Sequence, residues 1–325
     1  MYLVSTSSNW NVGDDIIREG VFRILDIGSR ESIIWLNRCQ VIYPKNKFGW
    51  TALWKVLRNQ PELASIIPYT DAFILAGTPE WLHTLEDVYD LCLKHRIPIW
   101  AIGVGMPQPG YQRLKKCRNR NLISYASVRD DLATETLNKA GISHRWFLDP
   151  AFHAKYEPTP EKSLDVVLTY KRNADNGIAD TVYLELYRKF HDRIDMIAVH
   201  HPDEYVPAQQ LFGTDIYYSS NYTDFKRLYA CCKHLITNRI HSAAPALRNG
   251  AEVHFFTNIQ KHRMVELWAK AFERVCSPSK SPLHIYPFSE WHTLTLSDSY
   301  PGDDLDRYFA ADFQAHQEYA RLITQ

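Results

Sequence analysis

Short apolar runs closed by turn residues alternate along this chain with stretches whose apolar positions recur at helical spacing. Ala72–Ala76 runs into Gly77, residues 85–96 carry a helical pattern, and Ile99–Val104 forms the next apolar run. Leu122–Val128 follows, then a predicted helix over Asp131–Ala140 with Gly141 as its stop, then Trp146–Leu148 before Asp149-Pro150. This is the order of a parallel sheet whose strands are joined by helices. A first strand before Asn11 opens the series.

Lys155 to Lys162 has no apolar periodicity and holds Pro158 and Pro160 among charged neighbours, the composition of a linker. Beyond it the alternation restarts with Leu164–Leu168, a helix around Val182–Phe190 and the strand Ile194–Val199, followed by a polar stretch through Pro207. Thr223 and Asp224 can cap a helix reaching Cys232; Leu235–Thr237 is a short strand, Ser242–Asn249 a helix ended by Gly250, and Val253–Phe256 a strand. Helical spacing in the aromatic, polar tail is confined to Leu305–Ile323, read as a closing helix. The expected organisation is α/β in two Rossmann-like domains, 1–156 and 163–325.

Composition narrows the function classes. The chain has 325 residues, 45% of them hydrophobic, enough for two buried cores. Lys+Arg and Asp+Glu both total 37, so no overall field draws it to nucleic acid, and a bound anion must be held locally. The 13% aromatic content is taken up mainly by packing. The six cysteines form no disulfide or zinc framework, and His200-His201, Cys231-Cys232 and His262 lack ligand spacing, so no metal is expected. With no signal segment and no apolar run of spanning length, a cytoplasmic protein without a transmembrane segment is expected.

Ligands of parallel sheets bind at the carboxyl ends of the strands. Four segments lie there: Asn11-Val12-Gly13-Asp14-Asp15, Gly77-Thr78, Arg129-Asp130 and Arg239-Ile240-His241. The last joins a permanent cation to a titratable ring at a helix start, where free amides favour an anion. Each segment also has a plain structural reading: ion pairs for Arg129 and Arg239, a cap or core position for His241, a tight turn and helix cap for Asn11, Gly13 and Asp14. Gly103-Val104-Gly105 lacks the third glycine and acidic partner of a dinucleotide fingerprint and reads as a turn.

In sequence order, Asn11-x-Gly13-Asp14, Gly77, Ile102-Gly103-Val104-Gly105, Val128-Arg129-Asp130 with Leu137 and Gly141, Asp149-Pro150-Ala151-Phe152, and Asn238-Arg239-Ile240-His241 with Ala246 and Gly250-Ala251 resemble the polysaccharide pyruvyl transferase family over roughly residues 5–265. The resemblance implies paired Rossmann-like domains facing a central cleft, as in GT-B-like glycosyltransferases. It also implies transfer of a pyruvyl group from phosphoenolpyruvate to two saccharide hydroxyls as a cyclic ketal, in polysaccharide or glycan biosynthesis. By it, Arg129, Arg239 and Ile240 bind the donor, His241 is the catalytic acid, and Asn11, Gly13, Asp14, Gly77 and Thr78 form loops of the cleft. Phosphoenolpyruvate is the donor substrate, no cofactor is needed, and the acceptor is a saccharide, lipid-linked or nucleotide-linked.

Two positions depart from the family pattern: the glycine-rich triplet after the third strand reads Ala76-Gly77-Thr78-Pro79-Glu80-Trp81, where Trp81 is either a stacking surface for a sugar or a core residue, and the serine four positions after the arginine is Ala133. Two other functions fit the same residues. A glycosyltransferase using a nucleotide-activated sugar would use Arg239 on a diphosphate, although no acidic residue is poised to read a ribose; a non-catalytic relative would bind a sugar or anion without turnover.

Overall fold

The computed structural model describes residues 1–6, 12–28, 33–37, 63–77, 86–106, 120–157, 161–171, 177–257, 262–276, 281–297 and 303–325. Asn11, Thr78 and the stretch Pro79-Glu80-Trp81 lie outside the described residues. The chain forms two compact units: Met1–Asn9, Val21–Phe147 and His316–Gln325 make the first, and Trp10–Gly20 with Leu148–Ala315 the second.

The first unit holds a parallel sheet of six strands in the order β2-β1-β3-β4-β5-β6. They are β1 (Tyr2–Thr6), β2 (Ile33–Asn37), β3 (Ala72–Ala76), β4 (Ile99–Val104), β5 (Tyr125–Val128) and β6 (Ser143–Trp146). Every position of β3 is buried, so the sheet is covered on both faces there; this is why β3 and β4 read as continuous apolar runs. Phe73, Leu75, Ala101, Val104, Ala126 and Val128 join the core with Leu132 and Leu137 of the helix Asp131–Ala140. That helix starts where Asp130 accepts from Ala133 N at 2.7 Å and ends at Gly141, whose φ of 70° favours glycine.

The second unit holds a five-stranded parallel sheet in the order β11-β10-β9-β7-β8. Its strands are β7 (Leu164–Tyr170), β8 (Ile194–Val199), β9 (Cys232–Thr237), β10 (Glu252–Thr257) and β11 (Leu283–Pro287). Val166, Leu168, Ile197, Ile236 and Phe256 pack with Tyr183 and Leu186 of the helix Gly177–Phe190. Both sheets bear out the α/β expectation. Among the described residues, no helix is long and apolar enough to cross a membrane.

Several elements differ from the sequence reading. The polar stretch through Pro207 is a helix, Pro202–Phe212: Pro202 occupies its first turn, where no amide hydrogen is needed, and Ala208 and Phe212 face the core. Strand β6 lies upstream of the expected Trp146–Leu148, and the tail contains β11.

The compact units also divide the chain differently from 1–156 and 163–325. A Cβ on Gly20 would stand 1.8 Å from the Pro150 carbonyl oxygen, so the start of the helix Val12–Ile24 is tied to the segment after Phe147. His316, near the end of the helix Asp303–Thr324, accepts or donates at 2.7 Å with Ser127 and stacks on Phe147, tying the last residues to the first unit.

Candidate active site

In the second unit the carboxyl ends of β7 and β9 are neighbours, with Thr169 and Thr237 in register. Lys171 follows β7, and Asn238-Arg239 follows β9. Arg239 is the N-cap of the helix Ile240–Arg248; its amide donates to Thr237 Oγ1 at 3.0 Å. Its guanidinium is buried at 7% exposure, paired with Glu204 and directed by Nε at the Tyr170 carbonyl, 3.3 Å away.

The field of this edge is set by those cations. Burial, then Arg239 and Lys171, holds His201 down at about 3. His200 is lowered in the same direction, first by burial and then by Arg239, so both rings are neutral near pH 7. Glu204 is pushed up by burial against the pull of Arg239. Arg239 and Lys171 thus act together on Glu204, His200 and His201, a positive field that favours added negative charge.

Helix Ile240–Arg248 is fixed from below. Tyr229 donates to Ser242 Oγ at 3.0 Å, and Ser242 Oγ lies 3.1 Å from His200 Nε2. Ile240, its first residue, is half-buried, and His241 follows with 19% of its side chain exposed. His241 Nε2 stands 3.8 Å from Asp149 Oδ2, while the other carboxylate oxygen of this fully buried aspartate accepts from Ala151 N at 2.9 Å. A Cβ added to Gly13 would be 2.8 Å from both Cβ and Nδ1 of His241, so glycine is needed for this close approach. Asp14 is in the first turn of the helix Val12–Ile24.

In the first unit Arg129 follows β5 and donates its amide to the Val104 carbonyl at 3.1 Å. Its own carbonyl accepts from Trp146 Nε1 at 3.2 Å. A Cβ on Gly105 would lie 2.4 Å from Asp130 Oδ2 and 2.7 Å from Arg129 Nε, so this glycine lets both side chains lie against the turn. Burial pushes Asp130 up to about 6, against amide bonds from Ala133 and Met106 and the charge of Arg129. Gly77, after β3, has φ 59° and donates to the Ile102 carbonyl at 2.8 Å. Ala133, the departure from the family serine, is fully buried in the hydrophobic core.

The structure therefore brings Gly13 to His241, and Arg239 to the same helix start. Lys171, Glu204 and the facing carboxylate of Asp149 were missed as partners. Asp149 stood in a quoted motif, but nothing in the sequence pairs it with His241; Glu204 was hidden in a stretch read only as polar.

A cavity of about 410 Å³ in the same unit has Tyr156 and Tyr222 on its wall, rings of the kind that stack on sugars. Both rings are covered by Lys226, at 5.6 and 5.1 Å, whose ammonium also bonds Glu19 at 2.6 Å. Those rings are filled by the protein's own cation.

The family model for polysaccharide pyruvyl transferase matches residues 11–260. The chain belongs to the polysaccharide pyruvyl transferase family. No curated protein matches it. Among solved structures, UDP-GlcNAc 2-epimerase of Methanocaldococcus jannaschii, in complex with UDP-GlcNAc and UDP, is 13% identical, with 96% of this chain and 99% of that one covered and a TM-score of 0.53. The S. aureus MnaA-UDP co-structure is 10% identical, with 97% and 90% covered and a TM-score of 0.52. At such identities the likeness is one of fold, and it agrees with the expected GT-B-like class of two Rossmann-like units.

Proposed function

We propose that this protein transfers the pyruvyl group of phosphoenolpyruvate to two hydroxyls of a saccharide as a cyclic ketal. The observation that carries the reading is the acid-and-anion pair at one helix start: His241 facing the buried Asp149 carboxylate, next to an arginine held by Glu204. Family membership supports it. Arg239, with Lys171 adding to the field, receives the phosphate or carboxylate of the donor, and the amide end of Ile240 favours the same charge. The family resemblance gives Arg129 a donor-binding role as well.

His241, as imidazolium steadied by Asp149, gives its proton to the methylene carbon of the enol. The adjacent carbon becomes electrophilic; the first hydroxyl oxygen bonds to it and returns its proton to His241. The bond from that carbon to the phosphate oxygen breaks, and phosphate departs with its charge stabilised by Arg239. The second hydroxyl adds at the same carbon, closing the ketal, and its proton leaves with phosphate.

Thermal unfolding with phosphoenolpyruvate, beside UDP-sugars, tests the donor. The comparison variant is Arg239→Ala in a Glu204→Gln background, so that no carboxylate is left buried alone. A rise in midpoint with phosphoenolpyruvate that the variant abolishes is expected; a rise only with a UDP-sugar would replace this reading with glycosyl transfer. His241→Ala should still bind donor but lose about 10²- to 10⁴-fold in phosphate release with a saccharide acceptor.

A further inference from the structure

The opposite edge of the second sheet carries a second cluster of histidines that the proposed chemistry does not use. His234 in β9 is in register with Glu252 in β10, and His254, two residues on, is in register with His284 in β11. In a strand, residues two apart share a face, so all four side chains emerge on one side near the amino ends of three adjacent strands. Their separation in sequence conceals this, since no ligand pair sits at helix or loop spacing.

The contacts centre on the carboxylate. Glu252 Oε2 lies 2.9 Å from His234 Nδ1 and 3.7 Å from His254 Nε2; Oε1 lies 2.8 Å from His284 Nε2 and accepts from Ser297 Oγ at 2.9 Å. The imidazoles of His254 and His284 stack with centroids 5.2 Å apart. His254 is completely buried, yet neither of its ring nitrogens has a hydrogen-bond partner among the described residues, and His234 Nδ1, though close to Glu252, makes no hydrogen bond.

Two buried imidazole nitrogens left unsatisfied beside a carboxylate are costly in apolar surroundings. Imidazole nitrogens and a carboxylate oxygen are donor types that ligate a transition metal.

We infer that His234, Glu252 and His254 form a binding site for a divalent transition-metal ion of the zinc class, with His284 orienting Glu252. Their donor atoms lie within 4.8 Å of one another. Ligands about 2.0–2.1 Å from a tetrahedral zinc stand about 3.4 Å apart, within reach of small side-chain rotations. Three nitrogen and oxygen ligands suit zinc over calcium or magnesium, which favour all-oxygen shells. His284, 37% exposed, marks the side from which an ion enters. The ion would pin β9 to β10, away from the strand ends that hold Arg239 and His241, and so be structural.

The test uses untagged full-length protein stripped with chelator and then titrated with Zn(II) alone, and separately with Co(II). One zinc per chain is expected, with a raised unfolding midpoint, and Co(II) should give the intense visible absorption of a low-coordinate nitrogen and oxygen site. His254→Gln and Glu252→Gln should lose the binding, and His284→Ala should weaken it about 10- to 100-fold, as removal of a group that orients a ligand does. The Co(II) spectrum of the unaltered protein and the partly exposed His284 variant decide the matter even where a core variant fails to fold. Only the pale spectrum of hydrated Co(II), or undiminished zinc binding in folded His254→Gln, would overturn the site.

Discussion

The two edges of the second sheet use the same residue type in opposite electrical settings. At the carboxyl edge His200 and His201 are lowered by burial and then further by Arg239 and Lys171. At the amino edge His254 is also lowered by burial, but Glu252 pulls it the other way. Burial alone keeps all three rings neutral; the fixed charge beside them determines what each edge can accept. The positive field of Arg239 and Lys171 favours an anion, whereas imidazole nitrogens around the Glu252 carboxylate favour a cation. A histidine is therefore informative only together with its nearest permanent charge.

The largest effect that can break this contrast is at Arg239. Arg239→Ala leaves Glu204 buried without its partner and should cost about 3–5 kcal/mol in stability. Adding Glu204→Gln should restore at least half of that in urea unfolding, while donor binding stays lost. A single variant within about 1 kcal/mol of the parent would show that the pair does not organise the carboxyl edge, and the contrast between the edges would lose its anion side.

A smaller effect separates chemistry from charge at that edge. Gly13→Ala forces a methyl group to within 2.8 Å of the His241 ring and backbone-proximal carbon, so the imidazole must shift. The expected stability loss is about 1–3 kcal/mol, typical of overpacking. The proposed turnover should fall by about 100-fold through misplacement of the acid, with donor affinity nearly unchanged because Arg239 is untouched. Equal loss of affinity and turnover would mean that Gly13 shapes the whole edge instead of His241 alone.

Much of this edge was legible in the sequence because its elements are local. Val166–Leu168 and the strand Val253–Phe256 are buried, so these mostly apolar runs read as strands and fall inside β7 and β10. The helix after Arg239 was placed within two residues of its start. What escaped was decided by tertiary contact. Strand β11 is at the sheet edge, with all but its first residue only half-buried, and so carries little apolar signal. The helix Pro202–Phe212 was masked by Pro202 and Pro207, and with it went the partner of Arg239. Asp149 meets His241, and His234 meets Glu252, only after the chain has folded; no spacing rule connects them.

The smallest effect concerns pH, and it sharpens the comparison by isolating the cationic edge. His201 has a folded value of about 3 against an ordinary 6.5, so the unfolded chain binds the proton first. Its contribution is complete above pH 6.5 and is lost as pH falls from there toward 3. Asp130 has the opposite sign: raised to about 6 from 3.8, it contributes below 3.8 and loses that contribution as pH rises through 6. Because His201 is partly exposed, its share between pH 7 and 5 is on the order of 1 kcal/mol. His201→Gln should therefore flatten the acid limb of a stability profile measured by urea unfolding at successive pH values, and do so with zinc absent. An unchanged acid limb would place the proton-linked loss with His200 or with the amino-edge His254, and the field of Arg239 and Lys171 would then reach less of the carboxyl edge than its geometry implies.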